Sequence, residues 1–212
     1  MLKKILFSLM CFSLVFLIAC GITEELEQAK VSVKELKATL KHEETLYDEL
    51  IANLSNISAA LKEDLTAQPE TGRYPDGEGA IYNNFEERKE LLAEMTNLNQ
   101  EIIKSHKELS RIVKKNGADV DNKQLTLINQ SLDIIIGNFA SLEVYTNLNE
   151  TQADEFYRNL PAENLETQLS ILHRTYGAIE IVSEEAQANI EYTLSLVDKF
   201  LAEAPKSKEK SK

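Results

Sequence analysis

The sequence contains few of the residues that end a helix and few cysteines that could form disulfide bonds. Its 212 residues include no tryptophan, two cysteines, four prolines and seven glycines. Such sparse proline and glycine leaves room for few turns, and the rest of the composition is rich in Leu, Glu, Ala, Lys and Ile, which is typical of helical proteins. Two cysteines are too few for the disulfide framework of a small secreted fold.

Positive charge is also scarce, since the formal net charge is −12. So acidic a chain argues against nucleic acid as a partner and against simple electrostatic adhesion to anionic wall polymers or lipids. The exception is the last segment, residues 205–212 (PKSKEKSK), which follows Pro205 and carries four lysines. We expect it to be a basic, disordered tail.

One long apolar run is present, from Ile5 to Ala19, after Lys3 and Lys4. It is shorter than the roughly 20 residues that span a bilayer. A positively charged start followed by a short apolar run is typical of an export signal. It ends in Leu17-Ile18-Ala19-Cys20, a lipobox. We therefore predict a lipoprotein signal peptide at residues 1–19 and diacylglycerol on Cys20, which would hold the chain at the extracytoplasmic face of the cell membrane. An uncleaved transmembrane anchor is the alternative.

The remainder shows heptad spacing of apolar residues in four segments, which predicts helices over 23–67, 80–116, 121–149 and 162–204. Proline and glycine mark a loop at 68–79, and a short helical turn is expected around 153–158. The fold class predicted is all-α: an elongated antiparallel bundle or coiled coil of three to four long helices, over residues 20–204. An even number of helices would return the C-terminus to the lipid end.

Several finer expectations follow from the heptads. Glu43 and Asp64 interrupt the seam of the first helix. The third helix, predicted to be the shortest, is the most apolar and is expected to be the most buried, although Leu127, Ile134, Ile136 and Val144 lie outside its seam. Gly177 is expected to allow a close helix crossing. A structural or assembly role would leave apolar positions outside the core, such as Leu46, Ile51, Leu91 and Ile103.

No pattern of catalytic residues stands out. The three histidines, His42, His106 and His173, lie on different predicted helices, and neither an HExxH nor a CxxC motif is present. We therefore expect a non-enzyme with no metal and no cofactor. Tyr74 and Tyr82 flank the 68–79 loop, and because aromatic rings stack on sugars they are candidate contacts for a glycan or another partner.

Three stretches resemble a known family. They are the lipobox before a long helix, EETLYDEL at Glu43–Leu50, and NNFEERKELLAEMTNLNQEIIKSHKEL at Asn83–Leu109. In these the chain is similar to the cell-wall-binding lipoproteins of the YkyA type from low-GC Gram-positive bacteria. The resemblance implies surface display and association with peptidoglycan, and it supplies no catalytic residues.

Two functions remain open from the sequence. One is a lipid-anchored, non-catalytic helical protein that binds peptidoglycan or an envelope protein. The other is a structural or assembly lipoprotein that acts by self-association or by docking to a membrane protein complex. The second predicts apolar positions that the bundle leaves uncovered.

Overall fold

A computed structural model describes the backbone of residues 2–67, 78–116, 120–159 and 165–203, and the side chains of 25–66, 78–115, 123–159 and 166–203. The helices are α1 (Leu2–Ser55), α2 (Ile57–Ala67), α3 (Ala80–Asn116), α4 (Val120–Arg158) and α5 (Leu165–Glu203). No strand occurs in these ranges, so the all-α prediction is confirmed. Most of the expected loop, residues 68–77, and the expected basic tail lie outside the described residues.

The four long helices form an antiparallel bundle in which each one contacts two neighbours. Helix α1 packs against α3 and α5, and α4 packs against the same two helices. At one end of the bundle Lys115 of α3 pairs with Glu25 of α1, and Gln124 of α4 donates to Glu203 of α5. The end of α5 therefore lies at the same end of the bundle as Glu25, as expected for an even number of long helices.

The core consists of the rows of apolar residues that the heptads predicted. Each row recurs at intervals of three and four residues, so one stripe of every helix faces the centre. Burying an aliphatic side chain of this size contributes about 1.5–3 kcal/mol. Members that are at most 2% exposed include Val33, Leu36, Leu40, Met95, Ile102, Leu109, Leu125, Ile128, Leu132, Ile135, Phe139, Leu142, Ile179, Ile190, Val197 and Phe200.

The predicted start and the predicted end of the first helix are both wrong. It begins at Leu2, not near Thr23, and it ends at Ser55, so that α2 is separate. The break falls in Asn53-Leu54-Ser55-Asn56, where side chains compete with the helical hydrogen bonds. The Asn53 carbonyl accepts from Asn84 Nδ2 at 2.9 Å, and Asn53 Nδ2 donates to the Asn84 carbonyl at 3.1 Å.

The third predicted helix is longer than expected. Helix α4 continues without interruption to Arg158, so the separate turn at 153–158 does not exist and this helix is not the shortest of the four. The core row continues through Asn149, Ala153 and Phe156, all at most 2% exposed. The polar members of this row concealed it in the sequence.

Two other expectations fail. A Cβ added at Gly177 would meet no atom within 4 Å, so this glycine makes no close crossing within the chain. Leu46, expected outside the core, is 3% exposed and belongs to it. Ile51, Leu91 and Ile103 are half-buried.

Asp64 closes the end of the bundle that lies farthest from Glu25. Its carboxylate accepts from the backbone N–H groups of Ala80 and Ile81, which caps α3, and from the Tyr157 hydroxyl at 2.8 Å. Gly79 has φ +120°, and a Cβ there would lie 2.9 Å from the Asp64 carboxylate. The acidic residue that interrupts the seam thus joins α2, α3 and α4.

Asp64→Ala should lower the free energy of unfolding by about 2–4 kcal/mol, because it removes a helix cap and leaves a buried hydroxyl without its acceptor. Tyr157→Phe removes only the hydroxyl and should cost about 1 kcal/mol. Urea unfolding of both variants measures the difference. Losses below 0.5 kcal/mol in both variants would contradict the assigned cap.

Glu43 is a carboxylic acid within the apolar core. It is 1% exposed, and burial raises its pKa from the ordinary 4.5 to about 8. Burial also raises the pKa of Tyr47, and the neighbouring Glu43 adds to that shift. A raised carboxyl pKa means that the folded chain holds the proton more tightly than the unfolded chain does. Stability is therefore highest at acidic pH with respect to this group.

Consequently the stability that the folded chain has while Glu43 is protonated should be fully present below about pH 4.5. It should be lost as the pH rises through about 8. At pH 7 the free energy of unfolding should be lower than at acidic pH by up to about 3 kcal/mol, at about 1.4 kcal/mol per pH unit. Glu43→Gln should match the parent near pH 5 and exceed its stability at pH 8. Urea titrations across this pH range measure the difference in unfolding free energy, and Glu49→Gln at an exposed position is the control. Parallel pH profiles for Glu43→Gln and the parent would refute the account.

Candidate interaction surface on helices α4 and α5

The histidines do not form a catalytic or metal-binding centre. His42 Nε2 lies 3.0 Å from Glu94 in an exposed pair, His106 Nε2 lies 3.0 Å from Asp133, and His173 is exposed elsewhere. Among the described residues no group of three or more His, Cys, Asp or Glu side chains is placed to hold a metal ion. His42 and His106 each contact a carboxylate on a neighbouring helix.

Arg88 is the largest polar side chain in the core, and its contacts are structural. It is fully buried, its Nη2 donates to Asn149 Oδ1 at 3.2 Å, and its guanidinium lies 4.7 Å from the centre of the Phe85 ring. Asn149 in turn donates to Thr175 Oγ1 at 2.8 Å. Burial lowers the pKa of Arg88 while Tyr176 and Glu150 oppose that shift. This chain of contacts fixes the register of α3, α4 and α5.

The residues singled out from the sequence fall in different places. Cys20 and the lipobox residues Leu17, Ile18 and Ala19 lie within the backbone of α1, but their side chains lie outside the described residues, as does Tyr74. Tyr82 is half-buried: its hydroxyl donates to Asp154 at 2.8 Å, and its ring packs against Phe85 and Tyr157. That ring is therefore engaged in intramolecular contacts.

The exposed apolar side chains are concentrated on one side of the molecule. Among the described residues eight large hydrophobic side chains are exposed, and only Val31 lies outside α4 and α5. The other seven are Leu127, Ile134, Val144, Leu148, Ile171, Ile181 and Tyr192. Four of them lie on α4, the helix that we expected to be the most buried. Scattered exposed hydrophobics are common, but clustering on two adjacent helices marks an interaction surface.

On α4 the exposed side chains form a second row with the spacing of a packed seam. Intervals of three and four residues relate its seven members, all exposed: Leu127, Gln130, Ile134, Gly137, Ser141, Val144 and Leu148. None of the seven is charged, although 27% of the chain is. Surface rows of a bundle helix are ordinarily polar. This row therefore has the composition of an interface.

A second, largely exposed row follows α5, the helix that packs against α4. Its members are Ile171, Arg174, Ala178, Ile181, Glu185, Ala188 and Tyr192, of which only Ala178 is half-buried. Thr175 donates to Gln152 at 2.8 Å, and Ile171 and Leu148 each lie one turn before these two residues. The two rows thus flank the α4–α5 contact from outside. We call these fourteen residues the α4/α5 face.

The corresponding face on the other side, formed by α1 and α3, is polar. Its shallow grooves are lined by residues such as Ser32, Glu35, Thr39, Glu90, Glu101, Lys104 and Arg111. Cross-helix hydrogen bonds hold it together: Gln28 donates to Glu108 at 2.8 Å, and Thr39 donates to Glu101 at 3.1 Å. The contrast shows that an apolar outer face is a property of the α4–α5 pair and is not required by the bundle.

Sequence reasoning did not identify this face. It noted Leu127, Ile134 and Val144 outside the seam but expected the uncovered positions elsewhere. The signal that could have found it is the second heptad series on α4, uncharged from Leu127 to Leu148.

Among the residues whose side chains are described, which do not include 1–24, no helix is long and apolar enough to cross a membrane. Comparison of the chain with protein-family models, with curated proteins and with solved structures finds no match.

Gly137 lies within the α4/α5 face, and a Cβ added there would meet no atom of the chain within 4 Å. Gly137→Ala should therefore stabilise the isolated chain by about 0.5–1 kcal/mol, because alanine loses less backbone entropy in a helix. Thermal unfolding at high dilution measures this. A destabilised variant would mean that the chain itself already covers this position.

Proposed function

We propose that this chain is a lipid-anchored, non-catalytic helical protein of the bacterial envelope that acts by docking a protein on its α4/α5 face. Diacylglycerol on Cys20 holds it at the extracytoplasmic face of the cell membrane. The observation that carries the docking role is the concentration of seven of the eight exposed large hydrophobic side chains on α4 and α5. This corresponds to the assembly function that the sequence left open.

The anchor is supported by the sequence. A short basic start, an apolar run of export-signal length and Leu17-Ile18-Ala19-Cys20 occur in the order that lipoprotein processing requires. Two acyl chains on one cysteine give stable attachment where a single chain would be marginal. The resemblance to YkyA-type lipoproteins favours the same location.

The composition of the face favours a protein over a glycan as the partner. Sugars are recognised through hydrogen-bonding side chains and stacked aromatic rings, whereas the face offers mainly aliphatic groups and one ring, Tyr192. The net charge of −12 also disfavours anionic wall polymers. Peptidoglycan, which the family resemblance implies, is the alternative that the experiments below must separate.

The anchor predicts a defined N-terminus. Mass spectrometry of the membrane-bound protein from a Gram-positive host should find the mature chain starting at Cys20 with diacylglycerol attached. Cys20→Ala should abolish lipidation and leave the uncleaved precursor, since the thiol is the acyl acceptor. An unmodified Cys20 in the membrane fraction, with residues 1–19 retained, would instead establish a transmembrane anchor.

The docking role predicts crosslinks confined to one face. A photoreactive amino acid at Ser141, within the α4/α5 face, should give protein adducts on intact cells, and one at Ser32, in the α1–α3 groove, should not. Ile181→Glu should remove the Ser141 adduct, because it places a carboxylate against an apolar partner. Equal adducts from both serines, or co-sedimentation of the unlipidated protein with purified sacculi through residues off this face, would refute the assignment.

A further inference from the structure

We infer that the protein docked on the α4/α5 face is a second copy of this chain, related to the first by a two-fold axis parallel to the helices. The orientation rests on the membrane anchor proposed above, whereas the identity of the partner rests on the face itself. The argument uses the register of α4 and α5, the charge of the face and its size.

The register of α4 and α5 makes the face self-complementary. These helices are antiparallel, with Asn149 bonded to Thr175 and Gln124 to Glu203. A step of ten residues towards the C-terminus of α4 therefore corresponds to a step of ten residues towards the N-terminus of α5. In this register Ile134 lies level with Tyr192, and Val144 lies level with Ile181, to within a helical turn.

A two-fold axis parallel to the helices exchanges these level positions. It places α4 of one copy against α5 of the other, again antiparallel, so that Ile134 meets Tyr192 of the second copy and Val144 meets its Ile181. Side chains at intervals of three and four residues on both helices interlock in such a packing. The small residues Gly137 and Ala188 lie between the large ones and leave room for them.

The charge of the face suits a second copy of an acidic chain. Two acidic molecules repel each other, and the repulsion at their contact is smallest where the contact surface has no acidic excess. The α4 row carries no charge, and the α5 row carries one of each sign, Arg174 and Glu185. A basic partner would instead be matched by a face rich in carboxylates, such as the groove between α1 and α3.

The size of the face is sufficient for a dimer. The α4 row covers 22 residues, roughly 33 Å at 1.5 Å per residue, and two helices are about 20 Å wide. This corresponds to about 650 Å² for each copy, or about 1,300 Å² in total, within the range of specific protein interfaces.

The axis also agrees with attachment to a single membrane. A two-fold axis parallel to the helices leaves the bundle end that carries Glu25 and Glu203 pointing the same way in both copies. Both Cys20 residues would then reach one bilayer. A perpendicular axis would direct the two anchors to opposite ends of the dimer.

Sedimentation equilibrium of the full mature, lipidated chain in a density-matched detergent tests the inference. The parent should have twice the mass of one chain at micromolar concentration. The double variant Ile134→Glu/Ile181→Glu should raise the dissociation constant at least roughly 100-fold, since it buries like charges that have no partners. Val31→Glu, the matched change at an equally exposed hydrophobic residue on α1, should leave the dimer intact.

A second measurement fixes the orientation. Mixed chains carrying Ile134→Cys and Tyr192→Cys should form the mixed disulfide on oxidation in preference to either homodisulfide. A monomeric parent at tens of micromolar, or a double variant that is folded by circular dichroism and dimerises like the parent, would overturn the inference. If Ser141 adducts on cells then contain a different protein, the proposed docking role stands and only the second copy is excluded; if no adducts form, both are excluded.

Discussion

A helix in a four-helix bundle can bury only the stripe that faces the centre and the edges that touch two neighbours. Here most members of the core rows of α1, α3, α4 and α5 are buried, whereas Leu92, Asn99 and Val113 on α3 are half-buried. Apolar residues beside these rows, such as Leu91, Ile136 and Val182, pack against the edges of the core, whereas those on the outer side of a helix stay exposed. On α1 and α3 the outer positions are polar and bond across the helices. On α4 and α5 they include seven exposed large hydrophobic side chains, and the functional proposal follows from that difference.

The polar groups inside the core determine how the helices are aligned. Asp64 ties the beginning of α3 to α2 and α4, and the contacts of Arg88 and Asn149 link α3, α4 and α5. A fixed alignment of α4 with α5 is what places Ile134 level with Tyr192. The internal polar contacts and the outer apolar face are thus connected, because a slip of one turn would displace the two rows relative to each other.

The heptads predicted the helical class, the bounds of α3 and most core positions, because burial depends on a periodicity that the sequence shows directly. They failed where polar residues occupy a buried row, as at Asn149, or where side chains interrupt a helix, as at Asn53. On α4 the heptads selected the covered seam, from Leu125 to Leu142, whose members are buried. They did not indicate that the second apolar series on this helix would stay uncovered, because that depends on the positions of α3 and α5. The roles of Cys20 and of Tyr74 stay predictions, since their side chains lie outside the described residues.

The central claim is that the α4/α5 face is covered by a second copy of this chain in the assembled protein, and a distance between the two copies tests it most directly. A spin label at Ser141→Cys, in the lipidated protein reconstituted in bilayers, should give an interchain distance below about 30 Å by double electron–electron resonance, since packed helices lie about 8–10 Å apart. A label at Val31→Cys should give only longer distances. No defined distance at Ser141, or the shorter distance at Val31, would contradict the account.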